Sequence, residues 1–118
     1  MTRGEVWWAD LAPRSGSEQR GRRPVIVMSS DAFNAVPTWR SVVVVPLMTS
    51  ERQLRVGPSA IAVPAHAAQL PSASVALCHQ ITTLDRAKLV EPLGALPPNV
   101  LREVELGVMA ALDITSMT

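Results

Sequence analysis

Four consecutive valines, Val42 to Val45, stand between Ser41 and Pro46-Leu47. β-branched side chains lose rotamer freedom in a helix and fit a pleated surface, so an unbroken run of four specifies a strand. The run lacks polar alternation, which is the pattern of a central strand buried on both faces. Pro24 to Ser29, with Val25-Ile26-Val27 inside it, repeats the pattern. A chain of 118 residues fits one ordinary domain, so a single unit over residues 1–118 is expected around these two strands. Apolar residues make up 47% of the chain and charged ones 18%, enough to fill a core and to exclude disorder as the main state.

Ten prolines divide the rest into short segments. Gly4 to Asp10 reads as a first strand, and Ala12 to Gly21, with Pro13, Gly16 and Gly21, as a loop. Ser30 and Asp31 are suited to cap one short helical turn before Pro37. Further strands are expected at Ala60 to Val63, Ser74 to Cys78, Gln80 to Thr83 and Leu89 to Leu93, the last two around an Asp85-Arg86-Ala87-Lys88 turn. From Pro98 to Leu112 the period changes: Val100, Leu101, Val104, Val108, Ala111 and Leu112 follow helical spacing, with Arg102, Glu103 and Glu105 mainly on the other side. Five or six short strands followed by one helix predict a mainly β fold with a C-terminal helix. The strands would form a small, strongly curved, partly closed β-barrel.

The same sequence excludes several functions. No apolar run approaches the ~18–20 residues needed to span a bilayer. The opening Met-Thr-Arg-Gly-Glu has no apolar signal region, so a cytoplasmic location is expected. Cys78 is the only cysteine, which rules out an internal disulfide and a cysteine-built zinc site. Cys78 itself ends an apolar strand and reads as a buried, inert thiol. There is no phosphate-cradling glycine motif and no HExxH, and His66 and His79 lie outside known nucleophile motifs. Glu103 and Glu105 point to different helix faces and read as solvated surface. Neither metal nor cofactor is expected. Charge is uneven: residues 1–60 carry eight basic and five acidic side chains, the remainder three and five. A basic half is what a polyanion-binding surface needs, although chance asymmetry produces it equally well. Arginine outnumbers lysine ten to one, a slight bias toward bidentate phosphate contacts.

The loop Gly16-Ser17-Glu18-Gln19-Arg20-Gly21-Arg22-Arg23 packs three arginines, a carboxylate, an amide and a hydroxyl into eight residues. Most charge runs are solvated hairpins. Arg23, however, opens the buried Pro24-Val25-Ile26-Val27 strand, which anchors its guanidinium at the rim. Thr49-Ser50 ends the valine strand and would face Arg23 if the two strands pair. An anchored arginine beside hydroxyl donors makes a phosphate site.

Four ordered segments carry a resemblance. They are Arg3-Gly4-Glu5-Val6-Trp7-Trp8-Ala9-Asp10-Leu11; Gly16-Ser17-Glu18-Gln19 with Arg22-Arg23-Pro24-Val25-Ile26-Val27; Val43-Val44-Val45-Pro46-Leu47; and Leu77-Cys78-His79-Gln80-Ile81-Thr82-Thr83-Leu84-Asp85-Arg86-Ala87-Lys88-Leu89. Over nearly its whole length the chain resembles the MazF/PemK toxins, the mRNA-interferase components of toxin–antitoxin pairs. The resemblance implies an SH3-like barrel of the CcdB/PemK kind with a C-terminal helix, and a homodimer. It also implies metal-independent, sequence-selective cleavage of single-stranded RNA, and a cognate antitoxin whose tail occupies the RNA groove.

RNA supplies its own nucleophile, the 2′-hydroxyl, so such an enzyme needs neither a protein nucleophile nor a metal. Arg23 matches the family's catalytic arginine, and its charge would stabilise the phosphorane. Glu18 matches the loop carboxylate, either accepting the 2′-OH proton or orienting Arg23. Ser17, Gln19, Arg20, Arg22 and Gln80 are candidate RNA contacts. Trp7 or Trp8 would stack on a base, but strand alternation sends at least one of them into the core. One departure stands out. The family places a catalytic threonine directly after Pro-aliphatic, and here Pro46-Leu47 is followed by Met48. Thr49 and Ser50 are the remaining hydroxyl candidates: in a regular strand Thr49 points away and Ser50 regains the phase of Met48. Two other readings share the fold, a non-catalytic gyrase-directed toxin of the CcdB kind and an RNA-binding remnant.

Overall fold

In a computed structural model, described over residues 1–11, 21–49 and 57–115, the strands form one curved antiparallel sheet. In chain order they are β1 (Glu5–Leu11), β2 (Gly21–Val27), β3 (Ser41–Met48), β4 (Ala60–Val63), β5 (Ser74–Leu77), β6 (Thr82–Asp85) and β7 (Leu89–Ala95). Helix α1 (Asp31–Asn34) lies between β2 and β3, and α2 (Pro98–Ala111) follows β7. The spatial order is β4-β5-β3-β2-β1-β7, with β6 also paired to β3. The sheet is therefore an open barrel with β4 and β7 at its ends. Among the described residues seven strands, not five or six, precede α2, and both short segments around Arg86 pair into the sheet.

β3 is central, as the valines require. Val42, Val44 and Val45 are buried, and Val43 is partly covered. Each fully buried aliphatic side chain contributes roughly 1.5–3 kcal/mol. One face carries Val6, Ile26, Val45 and Leu47, over which α2 lays Val100, Leu101, Val104 and Val108. The other face carries Ala9, Val25, Val27, Val42 and Val44, closed over by Trp7, Leu11, Leu84 and Leu89 as the sheet curls. α2 can seat so closely because residue 107 is glycine. A Cβ there would meet the Cys78 Sγ and Ile61 Cγ1 at 2.7 Å each.

β3 changes partner along one edge. Val44 pairs with Thr82 on β6, whereas Leu47, three residues on, pairs with Ala76 on β5, six residues back. The three residues left over form a 3₁₀ turn, Cys78–Gln80. Pro46, which has no N–H to give a ladder, lies in that gap. This turn corrects the expected strand bounds: Cys78 leaves β5, and β6 begins at Thr82 rather than Gln80.

The remaining local expectations follow their chemistry. Ser30 caps α1, its Oγ accepting from the Ala32 N–H at 3.1 Å. Pro98 opens α2 at the first helical turn, where a missing N–H costs nothing. Glu105 is not the solvated carboxylate expected. It is partly buried, 2.6 Å from Arg3 Nη2 and 3.3 Å from Arg102 Nη1. Burial alone would raise its pKa, but the hydrogen bonds from Arg3 and Arg102 outweigh it and lower the pKa below its ordinary value. Arg3 thus ties the N-terminus to α2. Its backbone N–H also donates to Asp31 and its Nε to the Met28 carbonyl. No helix among the described residues is long and apolar enough to cross a membrane.

Candidate active site

Gly21 opens β2 with φ +84°, a left-handed conformation that glycine adopts without strain. From there the strand alternates. Arg22 lies opposite Asp10 on β1, and Arg23 lies opposite Ala9, whose other neighbour on β7 is Leu89. Two arginines adjacent in sequence therefore meet different surroundings.

Arg22 is exposed, and its Nη1 lies 3.6 Å from Glu91 Oε2. Both partners are more than half exposed, so the pair contributes at most about 1 kcal/mol and is readily exchanged for another anion. Arg23 shares its face with Val25 and Ala9, beside the apolar cluster under the curled sheet. It is half-buried, and desolvation lowers its pKa from the usual arginine value. The group still carries its charge near neutral pH, because a guanidinium begins from a pKa above ~12. A cation held against an apolar wall interacts more strongly with an arriving phosphate than one surrounded by water.

β2 and β3 do pair, through Val25↔Pro46, Ile26↔Val45 and Val27↔Val44. The pairing ends at Val25↔Pro46; by strand alternation Arg23 shares the phase of Val25. Alternation puts Met48 on the same face, two residues after Pro46. Met48 is half-buried and packs against Ala60, Val75 and Leu77. Thr49 follows the strand, exposed, and in the opposite phase. Gln80, also exposed, ends the 3₁₀ turn on the far edge of β3. Arg23 thus lies on β2, Met48 at the end of the adjacent β3, Thr49 just after it, and Gln80 on the turn that follows β5. Ser17, Glu18, Gln19, Arg20 and Ser50 lie outside the described residues.

Other candidates separate from this region. Trp7 packs into the cluster beneath the curled sheet and donates its Nε1–H to Glu5 at 3.0 Å, so it is a core residue. Trp8, half-buried, lies opposite Pro24 and Glu91 on the face opposite Arg23. Burial pushes the Cys78 thiol up to about 11, which makes it unreactive near neutrality. Sequence reasoning missed one cluster altogether: Phe33 and Trp39 stack with ring centroids 5.4 Å apart. Six residues apart and outside any regular period, they offered no local signal beyond their rarity, being two of the chain's four aromatic residues.

This arrangement has counterparts among known proteins. The family described as PemK-like, MazF-like toxin of type II toxin-antitoxin system matches residues 2–112. Endoribonuclease MazF2 of Mycobacterium bovis and endoribonuclease MazF6 of Mycobacterium tuberculosis are each 36% identical over 114 residues, 97% of this chain and 98% of theirs. A crystal structure of MazF from Deinococcus radiodurans superimposes with a TM-score of 0.75 at 29% identity, covering 96% of both chains. A mycobacterial endoribonuclease in complex with its cognate antitoxin gives a TM-score of 0.78 over 98% of both chains. Its 24% identity speaks to the fold alone. With the family matched from residue 2 to residue 112 and relatives aligned over nearly their full length, the chain belongs to the PemK-like, MazF-like toxins of type II toxin–antitoxin systems.

Proposed function

We propose that this chain is the endoribonuclease of a toxin–antitoxin pair and cuts single-stranded RNA, sequence-selectively, through the substrate's own 2′-hydroxyl. The observation that carries this reading is Arg23, a guanidinium half-buried against the apolar row of Ala9 and Val25. In the proposed step the 2′-oxygen attacks the adjacent phosphorus, and the 2′-proton passes to a base. The bond from phosphorus to the 5′-oxygen breaks, and that oxygen takes up a proton. A 2′,3′-cyclic phosphate and a 5′-hydroxyl result. Arg23 neutralises the charge that accumulates on the phosphorane oxygens. Glu18 serves as the base or orients Arg23, and Thr49 or Ser50 supplies a hydroxyl to the phosphate. Ser17, Gln19, Arg20, Arg22 and Gln80 hold the strand. No step calls for a metal. The 118 residues act as one domain in a cytoplasmic homodimer, and a cognate antitoxin neutralises it, the last point being supported by the family's description as toxins of type II toxin-antitoxin systems.

The test is incubation of the purified protein with a long single-stranded RNA in EDTA. Discrete fragments ending in cyclic phosphate are expected, and a substrate with a single 2′-deoxy at the cut should bind but resist. Cleavage of the deoxy substrate would overturn the mechanism. A second reading, an RNA-binding remnant, is favoured by Met48 on the Arg23 face, where the family places threonine. Intact RNA that is nevertheless bound would support it. The two readings separate at Met48→Thr. Restored phosphate contact should raise the rate several-fold, while lost packing on Ala60, Val75 and Leu77 lowers stability by roughly 1 kcal/mol.

A further inference from the structure

Residues 28–40 join β2 to β3 at the end of the ladder away from Arg23. Phe33 and Trp39 are 50% and 47% exposed, with Val36 beside them at 39%. Their rings stack at 5.4 Å with 26° between planes. Large apolar side chains displayed in this way usually meet something.

The segment is held firmly. Asn34, buried, donates to the Ser29 carbonyl at 2.8 Å and to Asp31 Oδ1 at 3.0 Å, and it accepts from Ser29 Oγ at 2.7 Å. Asp31 also accepts the Arg3 N–H at 2.8 Å. From a 3₁₀ turn between β6 and β7, Arg86–Lys88, Arg86 Nη2 donates to the Phe33 carbonyl at 2.7 Å.

The charges around the rings are unequally committed. Asp31 is occupied by Arg3 and Asn34, and Asp85 by the Ala87 N–H and Arg40. Arg86 bonds two backbone carbonyls, and no carboxylate among the described residues forms a salt bridge with it or with Lys88. What remains for a partner is two ring faces and the charge of the Arg86 guanidinium. Aromatic faces take bases and cations take phosphates, the combination that holds single-stranded nucleic acid. A protein partner would look for a broader apolar patch than two rings and one valine.

We propose that Phe33 and Trp39, with Arg86, form a second binding site for single-stranded RNA that engages nucleotides flanking the cut. Four residues of β2, about 13 Å at ~3.3 Å each, separate Arg23 from Val27, after which the chain leaves the strand for the ring-bearing segment, so the two sites lie toward opposite ends of β2. The inference rests on the endoribonuclease reading for its substrate, and it is tested by binding as well as by cleavage.

Two RNAs are compared: a short oligonucleotide centred on a mapped cut, and the same sequence extended by about 15 nucleotides on each side. The double variant Phe33→Ala/Trp39→Ala should lose about five- to tenfold in kcat/KM on the extended RNA and less than twofold on the short one. Arg86→Gln should show the same asymmetry to a smaller degree, and Trp39→Phe should retain most of the extended-RNA advantage. Equal loss on both RNAs would mean that the segment is merely structural. No loss on either overturns the proposal. So does a variant that cuts normally but sediments as a monomer where the parent is a dimer, since the rings would then face a second copy. If the parent cuts neither RNA, the proposed function fails by itself. Quenching of tryptophan fluorescence by non-cleavable RNA, present in the parent and absent in Trp39→Phe, then decides the second site.

Discussion

Where β2 begins, Arg22 and Arg23 stand on a short stretch of sheet with an exposed ion pair on one face and an apolar wall on the other. Where β2 ends and α1 takes over, the polar groups are matched to one another: Asn34, Ser29, Asp31 and Arg3 close a connected network. The first region leaves a partly desolvated cation to interact with a ligand. The second spends its polar groups internally and leaves apolar rings outside. The difference teaches that the two ends should respond to mutation in opposite ways, one through rate and the other through stability.

The largest expected effect is at Arg23. Arg23→Ala should reduce cleavage by roughly 10²–10³, the usual loss of one preorganised donor, with an unfolding midpoint close to that of the parent. Arg23→Lys should also lose most of the rate, because a point charge does not reproduce the planar fork. A cleavage rate within threefold of the parent would break the comparison at its active end. Asn34→Ala comes next and should do the reverse. It strands Ser29 and Asp31 and should cost about 1–3 kcal/mol in urea unfolding, with the rate on a short RNA unchanged below the transition. A cost under about 0.5 kcal/mol would mean that the network is ornamental.

The smallest effect is a pH dependence. Glu105 and Glu5 both titrate below their ordinary 4.5 in the folded chain. For Glu5, burial opposes the shift, and hydrogen bonds from Trp7 and Thr2 outweigh it. The folded state thus holds its protons less tightly than the unfolded one. Their contribution is complete above about pH 4.5 and is lost as pH falls through the lower folded values. Arg3→Ala should flatten this acid-side loss by under about 1 kcal/mol. An unaltered slope would show that the Arg3–Glu105 pair contributes nothing measurable.

Much of this architecture was legible because it is local. The valine run, the Ser30 cap and the apolar spacing of α2 each act within a few residues, and each element lies close to where the sequence put it. Arg23 was legible too, as a charge at the threshold of an apolar strand, and so was the phase of Met48. What escaped depends on distance. Glu105 finds Arg3 across nearly the whole chain, so no window of sequence links them. Cys78-His79-Gln80 contains neither glycine nor proline. It turns where β3 passes from β6 to β5, and α2, at Gly107, lies close against Cys78. The Phe33–Trp39 stack stands on a segment held by the long-range bonds of Arg3 and Arg86 as well as by Asn34.

The turn at Cys78–Gln80 also bears on how this chain tolerates insertion and deletion. Three is an odd number, and strands alternate by twos. In β5 the even-numbered Ala76 faces α2, whereas in β6 the even-numbered Leu84 faces the opposite layer. Removing one residue between Leu77 and Thr82 would reverse every side chain of one strand relative to the other, turning Leu84 outward or Ala76 away from the helix. His79 is exposed and free to change identity, yet the number of residues in the turn is fixed. A segment that looks like an ordinary surface loop is, in length, as constrained as the core.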